Sequence, residues 1–299
     1  MNSILEEIKN SFKQGGVLIQ LIYINVAVFL VIKLLFVILF LGNVQDLNHA
    51  VVNILAVPAS VQELIFKPWT LITYMFLHLE FFHILFNLLW LYWFGQIFLR
   101  YLTPRQLLSN YLLGGLSGAF LYILLFNLLP VFQASVPVSQ ALGASAAVMA
   151  IAIAISVYAP EYTIHLMFIG PVKLKWLAVV FVVTDIIQIA STNAGGHIAH
   201  LGGALFGYLY VSRLKNGKDI TAGFSKAMDG LASVFKPGKK MRVSYRKTSA
   251  TKEDDWEFNK RKVNEQEEID RILEKIAKSG YESLTKREKE ILFKASDKR

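Results

Sequence analysis

The chain has 299 residues, 54% of them hydrophobic, a formal net charge of +9 and no cysteine. Disulfide frameworks, thiol nucleophiles and cysteine-bound metals are therefore excluded. The apolar residues fall in runs of about 20, long enough to cross a bilayer core as helices, so the chain reads as an all-α polytopic membrane protein rather than a soluble globule.

Residues 1–16, MNSILEEIKNSFKQGG, are a polar N-terminal segment. No small-residue cleavage site follows the first apolar run, so a cleavable signal peptide is not expected. Six apolar helices are predicted, at about 17–41, 72–97, 106–128, 143–159, 174–191 and 197–213. The fourth and sixth are short and fit a bilayer only if neighbours shield them or the bilayer thins. Between the first two lies a long connection, 42–70, with apolar patches too short to span; it is expected in the interface or dipping into it. The third connection, LPVFQASVPVSQ, has two prolines and no charge, and is placed at shallow depth above the start of the fourth helix.

Charge orients the bundle. Lys9 and Lys13 precede the first span, Arg100 and Arg105 lie in the second connection, and Lys173 and Lys175 in the fourth; the other three connections carry only Lys67. Cytoplasmic loops hold the excess of Lys and Arg, which predicts a multi-pass protein of the cell (inner) membrane with both termini in the cytoplasm. Two charges fall within spans. Lys33 is near an outer helix end, where its stem can snorkel to the headgroups. Asp185, in VVTDIIQ, is an intramembrane acid and so a functional candidate.

Three polar clusters gather at outer helix ends. HLEFFHILFN supplies His78, Glu80, His83 and Asn87; GASAAVMA supplies Ser145; GGHIAHLGGALFG supplies His197 and His200. A serine becomes a nucleophile when a histidine takes its proton. Gly203 and Gly207 lie three and seven residues after His200, on the same helical face, and let that face approach a neighbouring helix closely. Asn87 and His83 are one turn apart and, with the Ser145 amide, make a candidate oxyanion hole.

With HILFN, GAS and AHLGGALFG in this order, the chain resembles the rhomboid intramembrane serine proteases, over residues 17 to about 213. The resemblance implies a six-helix bundle with Ser145 as nucleophile, His200 as general base, and His83 and Asn87 at the oxyanion. It also implies substrates that are single-span or polytopic membrane proteins, cut where a transmembrane helix is locally unstable, with no metal or cofactor. Ser117 in GGLSG is a rival nucleophile, but it falls about 16 Å into the third span, and that glycine-rich stretch reads as a packing surface. Three residues depart from the family pattern: Ala146 stands for a glycine, Met149 for an aromatic, and Thr70 for the arginine after Trp69.

Rival readings have specific costs. His78 and His83 are five apart and no H-E-x-x-H is present, which argues against a metalloprotease. His78 and Glu80 read equally as interfacial polar groups, and His197 as a loop residue. Asp185 falls at a depth not far from His200, which offers a Ser–His–Asp triad as a rival; because the resemblance implies a dyad, Asp185 is instead expected to satisfy itself against neighbouring helices. A non-catalytic rhomboid-like binder of membrane proteins is the alternative function, and a transporter would need polar residues through the whole depth of the bundle.

Of 31 Lys and Arg, 22 lie beyond residue 214, along with 15 of 22 acids. Beside membrane spans, such a tail faces anionic lipid rather than nucleic acid. Residues 215–264 read as a basic linker. Residues 265–299 read as a small helical domain, similar to that appended to some bacterial rhomboids, with a break at Ser279–Gly280 and a Thr285–Glu288 capping box; its partner is not specified.

Overall fold

The computed structural model describes residues 4–166, 170–190, 193–235 and 255–297. Helix α1 (Ile4–Gln14) leads into α2 (Gly16–Leu41). The long connection is built from α3 (Leu47–Leu55), strand β1 (Val57–Pro58) and α4 (Val61–Phe66). Short α5 (Thr70–Thr73) and a 3-10 turn (Tyr74–Phe76) precede α6 (Phe81–Tyr101), followed by α7 (Pro104–Leu128) and α8 (Pro130–Gln133). Strand β2 (Gln140–Ala141) opens onto α9 (Ser145–Tyr158), and the hairpin β3 (Thr163–Leu166) and β4 (Gly170–Lys173) onto α10 (Leu174–Gln188). Then come α11 (Ala194–Lys215), α12 (Ala222–Phe235), α13 (Asp255–Ser279) and α14 (Lys286–Asp297). The chain divides into two compact units, one carrying α1–α12 apart from residues 99–103, the other carrying α13 and α14.

Each of the six predicted apolar stretches holds a helix: α2, α6, α7, α9, α10 and α11. Among the described residues, α2, α6 and α7 are long and apolar enough to cross a membrane, and α9 is a shorter apolar helix. The second stretch begins later than its apolar pattern suggests. Residues 72–76 belong to α5 and the 3-10 turn, and the helical run breaks where Leu77 takes extended backbone (ψ 120°), which leaves His78 and Glu80 ahead of α6. The fold is also not purely helical. β1 pairs antiparallel with β2 (Val57 opposite Ala141), and β3 with β4.

Helices α7, α9 and α11 pack together at the centre. α9 is apolar all round, as a helix enclosed by others must be, and Ala146, Ala150 and Ala154 are buried in it. Small residues set the spacing. A Cβ on Gly203 would fall on the Ala146 carbonyl, and one on Gly207 on the Ala150 carbonyl, so these glycines bring α11 onto the backbone of α9. α10 packs against α9 and α11. It faces α6 through aromatic rings, Trp90 and Phe94 lying 5.4 and 5.9 Å from Phe181.

The long connection is fastened by polar bonds rather than by an arginine at position 70. Trp69 Nε1–H donates to the Ile54 carbonyl at 2.8 Å, Thr73 Oγ1 to Leu55 at 2.7 Å, and buried Thr70 Oγ1 to Lys67 at 2.6 Å. Lys67 in turn reaches Asn53 Oδ1 at 2.8 Å and Glu63 at 3.1 Å.

The stretch 215–264, read above as a linker, contains α12 and the first residues of α13, while 236–254 lie outside the described residues. Asp219 starts α12 by accepting from the Thr221 amide at 2.7 Å and hydroxyl at 2.6 Å. The ends of α13 and α14 follow local chemistry. Gly280, at φ 76°, stops α13. Thr285 N–H donates to Glu288 Oε2 at 2.6 Å while Glu288 N–H donates to Thr285 Oγ1 at 3.3 Å, the reciprocal capping pair.

Candidate active site

The candidate site is assembled by the turn between β2 and α9. Gly143 has φ +114°, and a Cβ there would stand 2.7 Å from His83 Cε1 and 2.8 Å from Nε2. Only glycine combines that dihedral with that approach. The Gly143 amide donates to the Tyr74 carbonyl at 2.8 Å, and the Ala144 amide donates to His78 Nε2 at 3.2 Å. His78 Nδ1 lies 3.3 Å from the Phe76 carbonyl, to which it donates. His78 is thus wholly buried, not interfacial, because backbone groups satisfy both ring nitrogens. It clamps the turn that delivers Ser145 to the first position of α9.

Ser145, His200, His83 and Asn87 line one cavity of about 540 Å³, together with Phe82, Phe86, Trp90 and Gln140. They come from the N-terminal ends of α6, α9 and α11. Asn87 Nδ2 gives one N–H to the His83 carbonyl at 2.8 Å, and its second N–H remains for a ligand. Among the described residues, Ser145 Oγ and His200 share the cavity without a direct hydrogen bond. A second cavity, about 820 Å³, adjoins the first through Gln140 and Asn193 and extends past Phe126, Phe132 and Ile186.

The rival serine is used differently. Ser117 Oγ donates to the Gly202 carbonyl at 2.9 Å, in the seam between α7 and α11. Gly118, beside it, leaves room for the Ala146 methyl. The alanine that departs from the family pattern is therefore accommodated from the neighbouring helix.

Asp185 finds its partners on the neighbouring helix α11. Its Oδ1 accepts from His200 Nδ1 at 2.9 Å and from His197 Nδ1 at 2.8 Å. It is only 5% exposed, and its Oδ2 is buried with no hydrogen-bond partner among the described residues. His197 is not a loop residue, since α11 already begins at Ala194 and the two histidines follow at i and i+3 on one face. The sequence brings Asp185 to a depth close to His200, but it gives no sign of the part played by His197, which stands outside the AHxxG frame. The signal was an acid in an apolar run, with two histidines on the next helix.

These three residues also form a group that could hold a metal ion, their donor atoms lying within 4.8 Å of one another.

A model of the Rhomboid domain matches residues 66–217, just over half of the chain. The chain belongs to the rhomboid family. This rhomboid is a multi-pass membrane protein, consistent with the broad apolar faces that α2 and α10 leave exposed. Residues 252–298 match a second model, a family of unknown function (DUF6576), which covers α13 and α14. The chain is similar to RHOMBOID-like protein 12, mitochondrial, of Arabidopsis thaliana, with 33% identity over 161 residues, or 50% of this chain and 47% of the relative. It thus spans about half the length of the curated relative it matches.

Proposed function

We propose that this rhomboid is an intramembrane serine endopeptidase of bacterial type, using Ser145 as nucleophile and His200 as general base. One observation carries the reading: a hydroxyl, an imidazole and a carboxamide from three helices line one cavity with His83. The Asp185 carboxylate accepts only, so His200 holds its proton at Nδ1 and keeps a lone pair at Nε2. Nε2 takes the Ser145 proton as Oγ bonds to the scissile carbonyl carbon. The Ser145 amide, the free N–H of Asn87 and His83 stabilise the oxyanion. The proton then passes from Nε2 to the leaving amine, and water hydrolyses the acyl-enzyme with His200 again as base.

Six crossings by α2, α6, α7, α9, α10 and α11, with both termini cytoplasmic, fit this chemistry. α9 has 14 residues and a rise of about 21 Å, against a hydrocarbon core of about 30 Å. Its N-terminal end, with Ser145, therefore sits recessed where water enters from outside. The substrate is an unwound stretch of another protein's transmembrane helix, lying extended beside β2, whose only strand partner among the described residues is β1.

Fluorophosphonate labelling and cleavage of a panel of single-span proteins test the reading. Wild type labels and cleaves, and Ser145→Ala and His200→Ala each lose about 10³-fold or more. A second reading, a non-catalytic binder of membrane segments, draws on the missing Ser145–His200 hydrogen bond. Folded wild-type protein that never labels at Ser145 decides for the binder.

A further inference from the structure

The cluster of Asp185, His197 and His200 has a capacity that acyl transfer does not use. A carboxylate with one oxygen bonded to two imidazoles and the other buried and, among the described residues, unpartnered is a negative centre short of compensation. Among the described residues its ion-pair partners are the two histidines alone. Burying an unpaired charge is costly, and a cation is one remedy. The donors are two imidazole nitrogens and a carboxylate oxygen, the set that suits zinc and its neighbours in the first transition row rather than magnesium or calcium.

The geometry fits a three-ligand site. Tetrahedral ligands at about 2.0–2.1 Å from zinc lie about 3.4 Å apart. Here the donors lie within 4.8 Å of one another, and the two Nδ1–Oδ1 pairs, at 2.8 and 2.9 Å, need to open by about half an ångström. The histidine side chains are 13% and 21% exposed, so an ion can enter. The two rings already converge from one helical face onto a carboxylate of the facing helix.

We propose that Asp185, His197 and His200 form an inhibitory site for a zinc-class divalent cation. The inhibition follows from the tautomer. With Asp185 on Nδ1, the His200 proton sits at Nδ1 and Nε2 is a base. With the metal on Nδ1, the neutral ring carries its proton at Nε2 and has no lone pair for the Ser145 hydroxyl. His197 undergoes the same tautomer change, so neither ring loses or gains a proton overall. Metal occupancy and general-base function at His200 are mutually exclusive. The inhibition rests on the proposed protease reading; the binding does not.

The test uses the full chain in detergent with zinc chloride alone, following binding by calorimetry and unfolding temperature, and Ser145 by fluorophosphonate labelling. Expected is one saturable site per chain that raises the unfolding temperature. His197→Ala and Asp185→Asn weaken it at least tenfold, and Ser145→Ala leaves it intact. Labelling of wild type falls in step with occupancy and returns on chelation, while His197→Ala, measured against its own metal-free rate, needs at least tenfold more zinc. His197→Asn serves if the alanine variant does not fold. No saturable site, or a site equally strong in both cluster variants and so held elsewhere, such as by His78 and His83, overturns the proposal. Undiminished labelling at full occupancy also overturns it. Cluster-dependent binding in a chain that never labels supports the site and removes the protease reading instead.

Discussion

Gly118 and Ala146 are complementary across the contact between α7 and α9: a Cβ built on Gly118 would stand 2.5 Å from that of Ala146. The methyl next to the proposed nucleophile is therefore matched by its absence on the facing helix. Gly118→Ala is expected to cost about 1–3 kcal/mol through overpacking. Ala146→Gly in the same chain relieves only part of this, because the new methyl still meets the Ala199 carbonyl oxygen at 2.8 Å. A double-mutant cycle on unfolding in mild detergent should show a favourable coupling of about 0.5–3 kcal/mol; strict additivity refutes the match.

Gly143→Ala should be more damaging to activity than to folding. The left-handed backbone costs a non-glycine residue about 1–2 kcal/mol, and the added methyl displaces the His83 ring from the cavity wall. Labelling of Ser145 is expected to fall by about 10²-fold, the scale for losing one oxyanion group. A variant that labels at the wild-type rate shows that His83 need not stay where it is.

His78 acts on Ser145 through the backbone. Replacing it by alanine strips the Ala144 amide of its acceptor, at about 1–3 kcal/mol for a buried donor left unpaired. His78→Ala should lower the unfolding temperature and, since the turn before Ser145 loosens, the labelling rate as well. A drop in stability with labelling unchanged would separate the clamp from the chemistry.

Much of this architecture was legible because apolar run length and the i, i+3, i+7 spacing of His200, Gly203 and Gly207 are local signals. AHLGGALFG set His200 on the face that Gly203 and Gly207 press against α9, and HILFN set His83 above Asn87. What the sequence hid was non-local. An apolar run at 72–80 reads as helix, yet the Tyr74 carbonyl is committed to Gly143 and His78 to Ala144, contacts made 66 or more residues away along the chain. The contact of His197 with Asp185 was hidden for the same reason. The strands β1 and β2 are two residues each, too short for any alternation to show. α12 was missed because Gly223 and Gly230 and the basic composition around it weaken a pattern that packing against α7 restores.

Asp185→Asn tests whether the carboxylate positions His200. An amide at 185 can donate to Nδ1, which moves the His200 proton to Nε2, the wrong tautomer for a base. Labelling is then expected to fall by up to about 10⁴-fold, as when a triad aspartate is neutralised, with the unfolding temperature nearly unchanged. Asp185→Glu, which keeps the acceptor, should recover part of the rate. Equal labelling by Asp185→Asn and wild type assigns the carboxylate a purely structural role.

The hairpin between α9 and α10 supplies a pH-dependent prediction. Glu161 accepts from Lys173 at 2.6 Å and also from Lys175, and these two hydrogen bonds hold its carboxyl down to about 2 from an ordinary 4.5. A depressed carboxylate pKa means the ties are fully present above about 4.5 and are lost as pH falls toward 2. The exposed pair contributes little to global stability, so the effect should be local. Because the chain has no cysteine, a single Thr163→Cys variant takes one spin label on β3. Its mobility should rise between pH 4.5 and pH 2 in the otherwise native chain, and should be high already at neutral pH when Glu161→Gln is added. A label equally immobile in both chains at neutral pH shows that the strand pairing alone holds the hairpin.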